Sequence, residues 1–273
     1  VGNMVIGEVV DAGRHAQQYT PGDIVVGYAP LGELVQIHSS RCWKLDGTDH
    51  WRTALCIDPA RFALAALRDG NVRLGDAVAV FGLGAIGILA VQMALLAGAS
   101  RVFALDPVPR RRRAASAEGV TLIDPASGDA GRMIKEACSG KGVDVSIDLS
   151  GSPAALQQAI RGTAFGGTVV CAAFPPPYSA GLDFGGEAHI NRPHIVFSRA
   201  VSEPNRDYPR WDIQRIDQHC RHLCACGSIT GEPIIDRVVP FASLREAFLE
   251  AMEDPSYAIK LGVAFDGEQY NET

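Results

Sequence analysis

From the start of the chain to about residue 57, short β-rich runs alternate with turn residues: Val5-Ile6-Gly7-Glu8-Val9-Val10, Pro21-Gly22-Asp23, Ile24-Val25-Val26 and Leu34-Val35-Gln36-Ile37. Runs this short, broken by Gly, Pro and Asp, predict a small barrel or sandwich fragment. From residue 58 the pattern changes. Apolar strand-like runs at 77–81, 102–105, 121–123, 143–149 and 168–172 alternate with helical patterns at 85–96, 110–118, 131–138 and 153–161. That alternation predicts an α/β fold, a doubly wound parallel sheet covered by helices on both faces. A strand at 194–200 ends this section, and a helix at 211–224, a strand at 234–239, a helix at 244–252 and a strand at 259–265 close the chain.

Composition narrows the class. At 273 residues and 47% hydrophobic content the chain buries a substantial core. Its most apolar stretch, residues 86–96, is too short to cross a bilayer and contains Gln92, so it predicts a core helix and no membrane partner. With a net charge of −6, nucleic acid is excluded as a partner; the run Arg110-Arg111-Arg112-Arg113 predicts a solvated helix face. Seven cysteines, several inside apolar segments, predict reduced thiols and a cytoplasmic setting. Val1 is not Met and a strand is already under way at Val5, which predicts a missing N-terminal portion.

Gly82-Leu83-Gly84-Ala85-Ile86-Gly87 follows the strand-like run 77–81 and opens the helix-like run behind it. Strand, Gly-x-Gly-x-x-Gly and helix in that order form the fingerprint of a Rossmann dinucleotide site. Gly82 permits the tight turn, Gly84 lets the backbone approach a pyrophosphate, and Gly87 lets helix and strand pack closely. The helix start offers free N–H groups to the phosphates. Asp106 closes the next strand, 19 residues after Gly87, where a carboxylate accepts ribose hydroxyls and repels a 2′-phosphate. The expected cofactor is therefore NAD in preference to NADP.

The order of elements and several further motifs resemble the medium-chain dehydrogenase/reductase superfamily, in its zinc-type alcohol and polyol dehydrogenase branch. They are Gly2-x-x-x-x-Gly7-Glu8-Val9-Val10-x-x-Gly13, Pro21-Gly22-Asp23-Ile24-Val25, Arg73-Leu74-Gly75-Asp76, Gly166-Gly167-Thr168-Val169-Val170 and Ile259-Lys260-Leu261-Gly262-Val263. The resemblance implies a Rossmann NAD-binding domain at 58–200 and a GroES-like β-barrel catalytic domain built from 1–57 and 201–273, with the active site between them. It places Arg111 beside the adenosine ribose, and Ser150, the backbone around Ala172 and that of residues 198–200 along the cofactor. It also implies a homo-oligomer joined through the last Rossmann strand.

Departures from the family concern the metal. Gly-His-Glu, whose His binds the catalytic zinc, is replaced by Gly2-Asn3-Met4, and an amide is a poor zinc ligand. The next family ligand position aligns with Asp58, another would lie upstream of Val1, and no four-cysteine lobe follows Asp23. A zinc site is therefore not expected. Asp58 reads as a cleft carboxylate with a catalytic role or as a helix N-cap ahead of Pro59. His189 reads as a structural hydrogen-bonding residue. In the cluster from His219 to Cys226, helical spacing of Ile213, Ile216, Cys220 and Leu223 predicts a buried stripe with the histidines at its edge. The expected activity is hydride transfer between nicotinamide and an alcohol or carbonyl substrate; the alternatives are a zinc-independent quinone or enone reductase and a catalytically silent NAD-binding protein.

Overall fold

The computed structural model describes residues 3–45, 50–179, 181–200 and 202–265. The chain runs through β1 (Val5–Glu8), β2 (Ile24–Gly27), β3 (Cys42–Lys44), α1 (Trp51–Ala54), α2 (Ile57–Asp69), β4 (Ala77–Phe81), α3 (Ala85–Leu96), β5 (Arg101–Leu105), α4 (Pro109–Ala114) and β6 (Val120–Ile123). It continues through α5 (Ala130–Ala137), β7 (Val143–Asp148), α6 (Pro153–Gly162), β8 (Thr163–Cys171), α7 (Glu187–Asn191), β9 (His194–Phe197), α8 (Ile213–Ala225), β10 (Arg237–Pro240), α9 (Leu244–Glu253) and β11 (Leu261–Ala264).

Six parallel strands form the central sheet in the order β6-β5-β4-β7-β8-β9. At the centre of the sheet both faces are buried, and the period of two divides β4 and β5 between two cores. Val78, Val80, Val102 and Ala104 pack with α2, α3 and α8, whereas Ala79, Phe81, Phe103 and Leu105 pack with α5 and α6. In β7 the parity breaks: Val143 belongs to the second core and Val145 and Ile147 to the first, because a register shift against β8 separates them. α3 is apolar nearly all round because it lies inside, between the sheet and α2. Its one interruption, Gln92, exchanges hydrogen bonds with the Thr230 backbone at 2.8 and 3.1 Å and ties the distal part of the chain to the sheet.

At the two ends the described residues form a three-stranded antiparallel sheet, β1-β2-β3, and a separate parallel pair, β10-β11. These two sheets stand where a single barrel was expected. Residues 34–37 are irregular, with Leu34 77% exposed: this β-rich run has no neighbouring strand, and the ladder with β2 is made by β3 instead. The helix expected at 110–118 stops at Ala114, before the positive-φ turn at Gly119 that feeds β6. No helix among the described residues is long and apolar enough to cross a membrane.

The ends are clasped to the centre by directed bonds. Arg52 donates to the Ile235 carbonyl at 3.2 Å, Gly231 N–H donates to Thr53 Oγ1 at 2.9 Å, and Arg110 pairs with Asp236 at 2.5 Å while reaching the Ser256 and Tyr257 carbonyls. The arginine run is thus not a solvated face. Arg112 binds Asp124 and two main-chain carbonyls, Arg111 faces Asp106, and only Arg113 of the four stands exposed, because α4 lies between the sheet edge and the C-terminal segment.

Asp148, 1% exposed at the end of β7, accepts from Ser150 N–H at 3.0 Å and Ser150 Oγ–H at 2.6 Å. Burial raises its pKa, and the Ser150 bonds only partly oppose that shift. A carboxyl whose pKa is raised by folding takes up a proton on folding. Its stabilisation is complete below the unfolded pKa and is lost as pH rises through the folded one. Asp148→Asn keeps an acceptor for Ser150 and removes the buried charge. It is expected to raise the unfolding temperature at pH 7, on the scale of roughly 2–4 °C per kcal/mol for a chain of this size, with the gain shrinking toward pH 4. Thermal unfolding of both proteins across that pH range checks this.

Candidate functional site

In an open parallel sheet, the crevice for a ligand forms where successive connections leave to opposite sides. Here the chain runs outward from β4 through β5 to β6, then returns to β7 on the other side of β4. The glycine turn follows β4 and Ser150 follows β7, so both stand at that switch point. Gly82 has φ +91°, and a Cβ on it would lie 2.8 Å from Ser150 N. A Cβ on Gly87 would collide with the Gly82 carbonyl, whereas one on Gly84 meets nothing within 4 Å. Gly82 and Gly87 therefore serve the packing of strand, turn and helix. Gly84, N-cap of α3, leaves an open approach to the first N–H groups of the helix, those of Ala85, Ile86 and Gly87. This cradle fits a bound dinucleotide pyrophosphate.

Asp106, 3% exposed, follows β5 beside the turn. Its Oδ2 accepts Leu83 N–H and its Oδ1 accepts Val108 N–H, both at 2.8 Å, with the Arg111 guanidinium 3.7 Å from Oδ2. The carboxylate thus braces the glycine turn from below, a role that its position in the sequence did not reveal. A carboxylate offers about four lone-pair sites, so acceptor capacity toward a ribose diol remains. Ala172 N–H donates to the Asp148 carbonyl and Ser198 N–H to the Cys171 carbonyl. Asp106, Gly82, Ser150, Ala172 and Ser198 consequently line the carboxyl ends of five adjacent strands, β5-β4-β7-β8-β9. At ~4.8 Å per strand this edge is roughly 19 Å long, a fit for an extended dinucleotide.

A second cluster gathers around α2. Asp58 is not an N-cap: α2 begins at Ile57, after Cys56, and the Asp58 side chain sits 19% exposed in the first turn. Its Oδ2 accepts from Asn3 Nδ2 at 2.6 Å, and its Oδ1 lies 3.8 Å from Arg61 Nη1. Arg61, 14% exposed, donates from the same nitrogen to Tyr28 Oη at 2.7 Å and lies 3.8 Å from Asp217 on α8. Asp217 pairs with Arg221 at 2.7 Å, and the Arg221 guanidinium stacks 4.9 Å from the Trp43 ring. Burial pushes the Tyr28 hydroxyl up to about 12, against the pull of Arg61. The Asp58–Arg61 and Asp217–Arg221 pairs have helical spacings that could be read locally. Tyr28 and the junction between α2 and α8 carry no such signal.

Zinc does not fit these residues. The amide at Asn3 uses its donor on Asp58, Met4 is 9% exposed in the core, and a guanidinium already holds positive charge beside the Asp58 carboxylate. Gly2 lies outside the described residues. Among the described residues no three His, Cys, Asp or Glu side chains converge as a metal site. Along α8, Ile216, Cys220 and Cys224 are buried, His222 is exposed, and His219 packs edge-on against Trp211 at 5.6 Å. His189 lies exposed on α7. A surface hollow of about 580 Å³ is bordered by Gln157, Arg161, Asp183 and Glu187 and contains none of the expected site residues.

A family profile described as zinc-binding dehydrogenase matches residues 85–216. D-guloside 3-dehydrogenase of Escherichia coli (strain K12) is 44% identical over 271 residues, which are 97% of this chain and 77% of that protein. The solved structure of 2R,3R-butanediol dehydrogenase from Bacillus subtilis shares the fold with a TM-score of 0.77 at 24% identity, over 96% of this chain and 79% of that one. A zinc-binding dehydrogenase of Sinorhizobium meliloti 1021, described as putative in its own structure and bound to NADP, superposes with a TM-score of 0.73 at 22% identity, over 94% and 80%. With a glycine cradle at the switch point and a 44% identical relative that aligns with 97% of this chain, the chain belongs to the medium-chain, zinc-type dehydrogenase superfamily.

Proposed function

We propose that this protein is an NAD(H)-dependent oxidoreductase that interconverts a secondary alcohol and its ketone on a polyhydroxylated small molecule. The observation that carries the reading is the open approach at Gly84, framed by Gly82, Gly87 and the buried Asp106 at the switch point. The substrate class is drawn from the relative that acts on D-gulosides. When bound, NAD supplies the hydride acceptor or donor at nicotinamide C4. The chain's own part is to hold the pyrophosphate on the start of α3, to offer Asp106 to the ribose with Arg111 alongside, and to line the nicotinamide half with Ser150, Ala172 and residues 198–200. Asp106 favours NAD over NADP by repelling a 2′-phosphate.

The substrate faces the cleft between the Rossmann section, 58–200, and the two small sheets of 1–57 and 201–273, which we assign to a GroES-like catalytic domain. Asp58 accepts the hydroxyl proton there during oxidation and releases it to solvent. All seven cysteines are unpaired, in keeping with a reducing cytoplasm. β9 is an edge strand with Ile195 40% and Phe197 82% exposed, a surface suited to pairing with a second copy. One observation favours a second reading, zinc-independent reduction of an enone or quinone: the amide at the family's metal position is tied to Asp58.

Titration of NADH followed by fluorescence is expected to show saturable binding. Gly84→Ala is expected to weaken it at least tenfold with little change in unfolding temperature. Gly87→Ala, whose new methyl meets the Gly82 carbonyl, is expected to lower the unfolding temperature as well. No binding by the wild type at millimolar NADH defeats the proposal. In a panel of glycosides, polyols, simple alcohols, enones and quinones, turnover of glycosides or polyols with NAD supports the first reading and enone turnover alone the second. On the active substrate, Asp58→Asn is expected to lower kcat by roughly 100-fold with NADH affinity retained.

A further inference from the structure

Tyr28 lies half-buried just beyond β2, outside the motifs that mark the family. Its oxygen accepts from Arg61 Nη1 at 2.7 Å, so its own hydrogen points elsewhere, and among the described residues no acceptor takes it. The same Arg61 nitrogen lies 3.8 Å from Asp58 Oδ1. Tyr28 Oη and Asp58 Oδ1 are therefore within 6.5 Å of each other, the sum of those two distances. An oxygen placed between them at ordinary hydrogen-bond lengths of about 2.7 Å would span up to roughly 5.4 Å. A free O–H donor and a carboxylate acceptor thus gather around one guanidinium nitrogen, at a separation on the scale that one bridging hydroxyl or carbonyl oxygen spans.

Arg61 is placed by the charges around it. It sits between two carboxylates, Asp58 and Asp217, each at 3.8 Å, and Asp217 is anchored in turn by Arg221. Asn3 fixes the far oxygen of Asp58. Two carboxylates and two guanidiniums stand together, and Arg61 Nε, Asp217 Oδ1 and Arg221 Nε are buried without a hydrogen-bond partner among the described residues.

We infer that Tyr28 is a catalytic residue whose hydroxyl, oriented by Arg61, binds the substrate oxygen and stabilises the negative charge that develops on it, in the place where the family uses a metal. The inference rests on the dehydrogenase reading above. In oxidation the hydroxyl proton passes to Asp58, the C–H pair of electrons leaves with the hydrogen as hydride to nicotinamide C4, and the C=O bond forms from the oxygen's electrons. Tyr28 donates a hydrogen bond throughout and keeps its proton. Reduction runs through the same contacts in reverse. Arg61 touches neither substrate nor cofactor and is a positioning residue.

Tyr28→Phe removes only the hydroxyl. With the substrate found active in the panel, its kcat is expected to fall by roughly 100-fold, the loss seen when one preorganised donor to a developing oxyanion is removed, while KM changes less than about threefold and NADH affinity and unfolding temperature hold. Arg61→Gln is expected to lower kcat similarly, Arg61→Lys to recover at least tenfold of that loss, and Tyr28→Phe/Arg61→Gln to be no worse than either single variant, as for groups acting as a unit. Wild-type turnover matched by Tyr28→Phe overturns this inference alone. Chelator-sensitive turnover with one zinc per chain also overturns it. A wild type that binds NADH and turns over nothing in the panel defeats it together with the dehydrogenase reading.

Discussion

α3 can meet β4 as closely as it does only because two residues lack side chains. A Cβ on Gly87 would occupy the space of the Gly82 carbonyl, and one on Gly82 would press into the Ser150 backbone. That contact sets the start of α3 directly over the end of β4, at the point where β5 and β7 leave to opposite sides. Everything else about the cofactor edge is referred to it. Asp106 grips the turn through Leu83, Asp148 arranges Ser150 on the next strand, and the ends of β8 and β9 follow in register. Local steric freedom at two positions thus determines where a ligand some roughly 19 Å long can lie.

The two buried acids of this edge differ in environment. Asp106 has a guanidinium nearby and a backbone N–H on each oxygen. Asp148 is solvated by Ser150 and the Gly151 N–H and is shifted toward its neutral form by burial. One carboxylate is compensated where an anion-binding turn needs bracing; the other carries strain from desolvation to order the adjacent loop. The cluster at α2 follows a third pattern, a chain of alternating charges from Asp58 through Arg61 and Asp217 to Arg221. Removing one member of such a partly buried array leaves the others uncompensated, which commonly costs about 3–5 kcal/mol in fully buried cases and less at this exposure. That interdependence couples Tyr28, through its bond to Arg61, to every member of the array.

Much was legible before any coordinates. The continuous apolar runs at 77–81 and 102–105, short and bounded by turn residues, and the longer, nearly all-apolar pattern at 85–96 specify buried strands and a core helix. The glycine spacing named its own turn, and the replacement of His by Asn3 was a one-residue observation. The failures have a common physical cause. Residues 34–37 have strand propensity but no partner, and β propensity without a ladder yields no strand. The arginine run looked solvated because its partners, Asp236, Asp124 and the carbonyls of 256 and 257, lie on other elements. For Asp58 the sequence left a cleft carboxylate and a cap both open, because its bond to Asn3 joins residues 55 positions apart.

The sequence by itself determined the class of fold and the position of the glycine turn, since each depends on steric or chemical properties of residues close together in the chain. Only the tertiary structure decided which side chains meet: that Asp106 braces the turn it follows, that Arg110, Arg111 and Arg112 bind rather than screen, and that Tyr28, Asp58, Arg61 and Asp217 gather in one cluster. Such meetings depend on the packing of β2, α2 and α8 against one another. Packing is set by the whole core at once, and no window along the chain contains it.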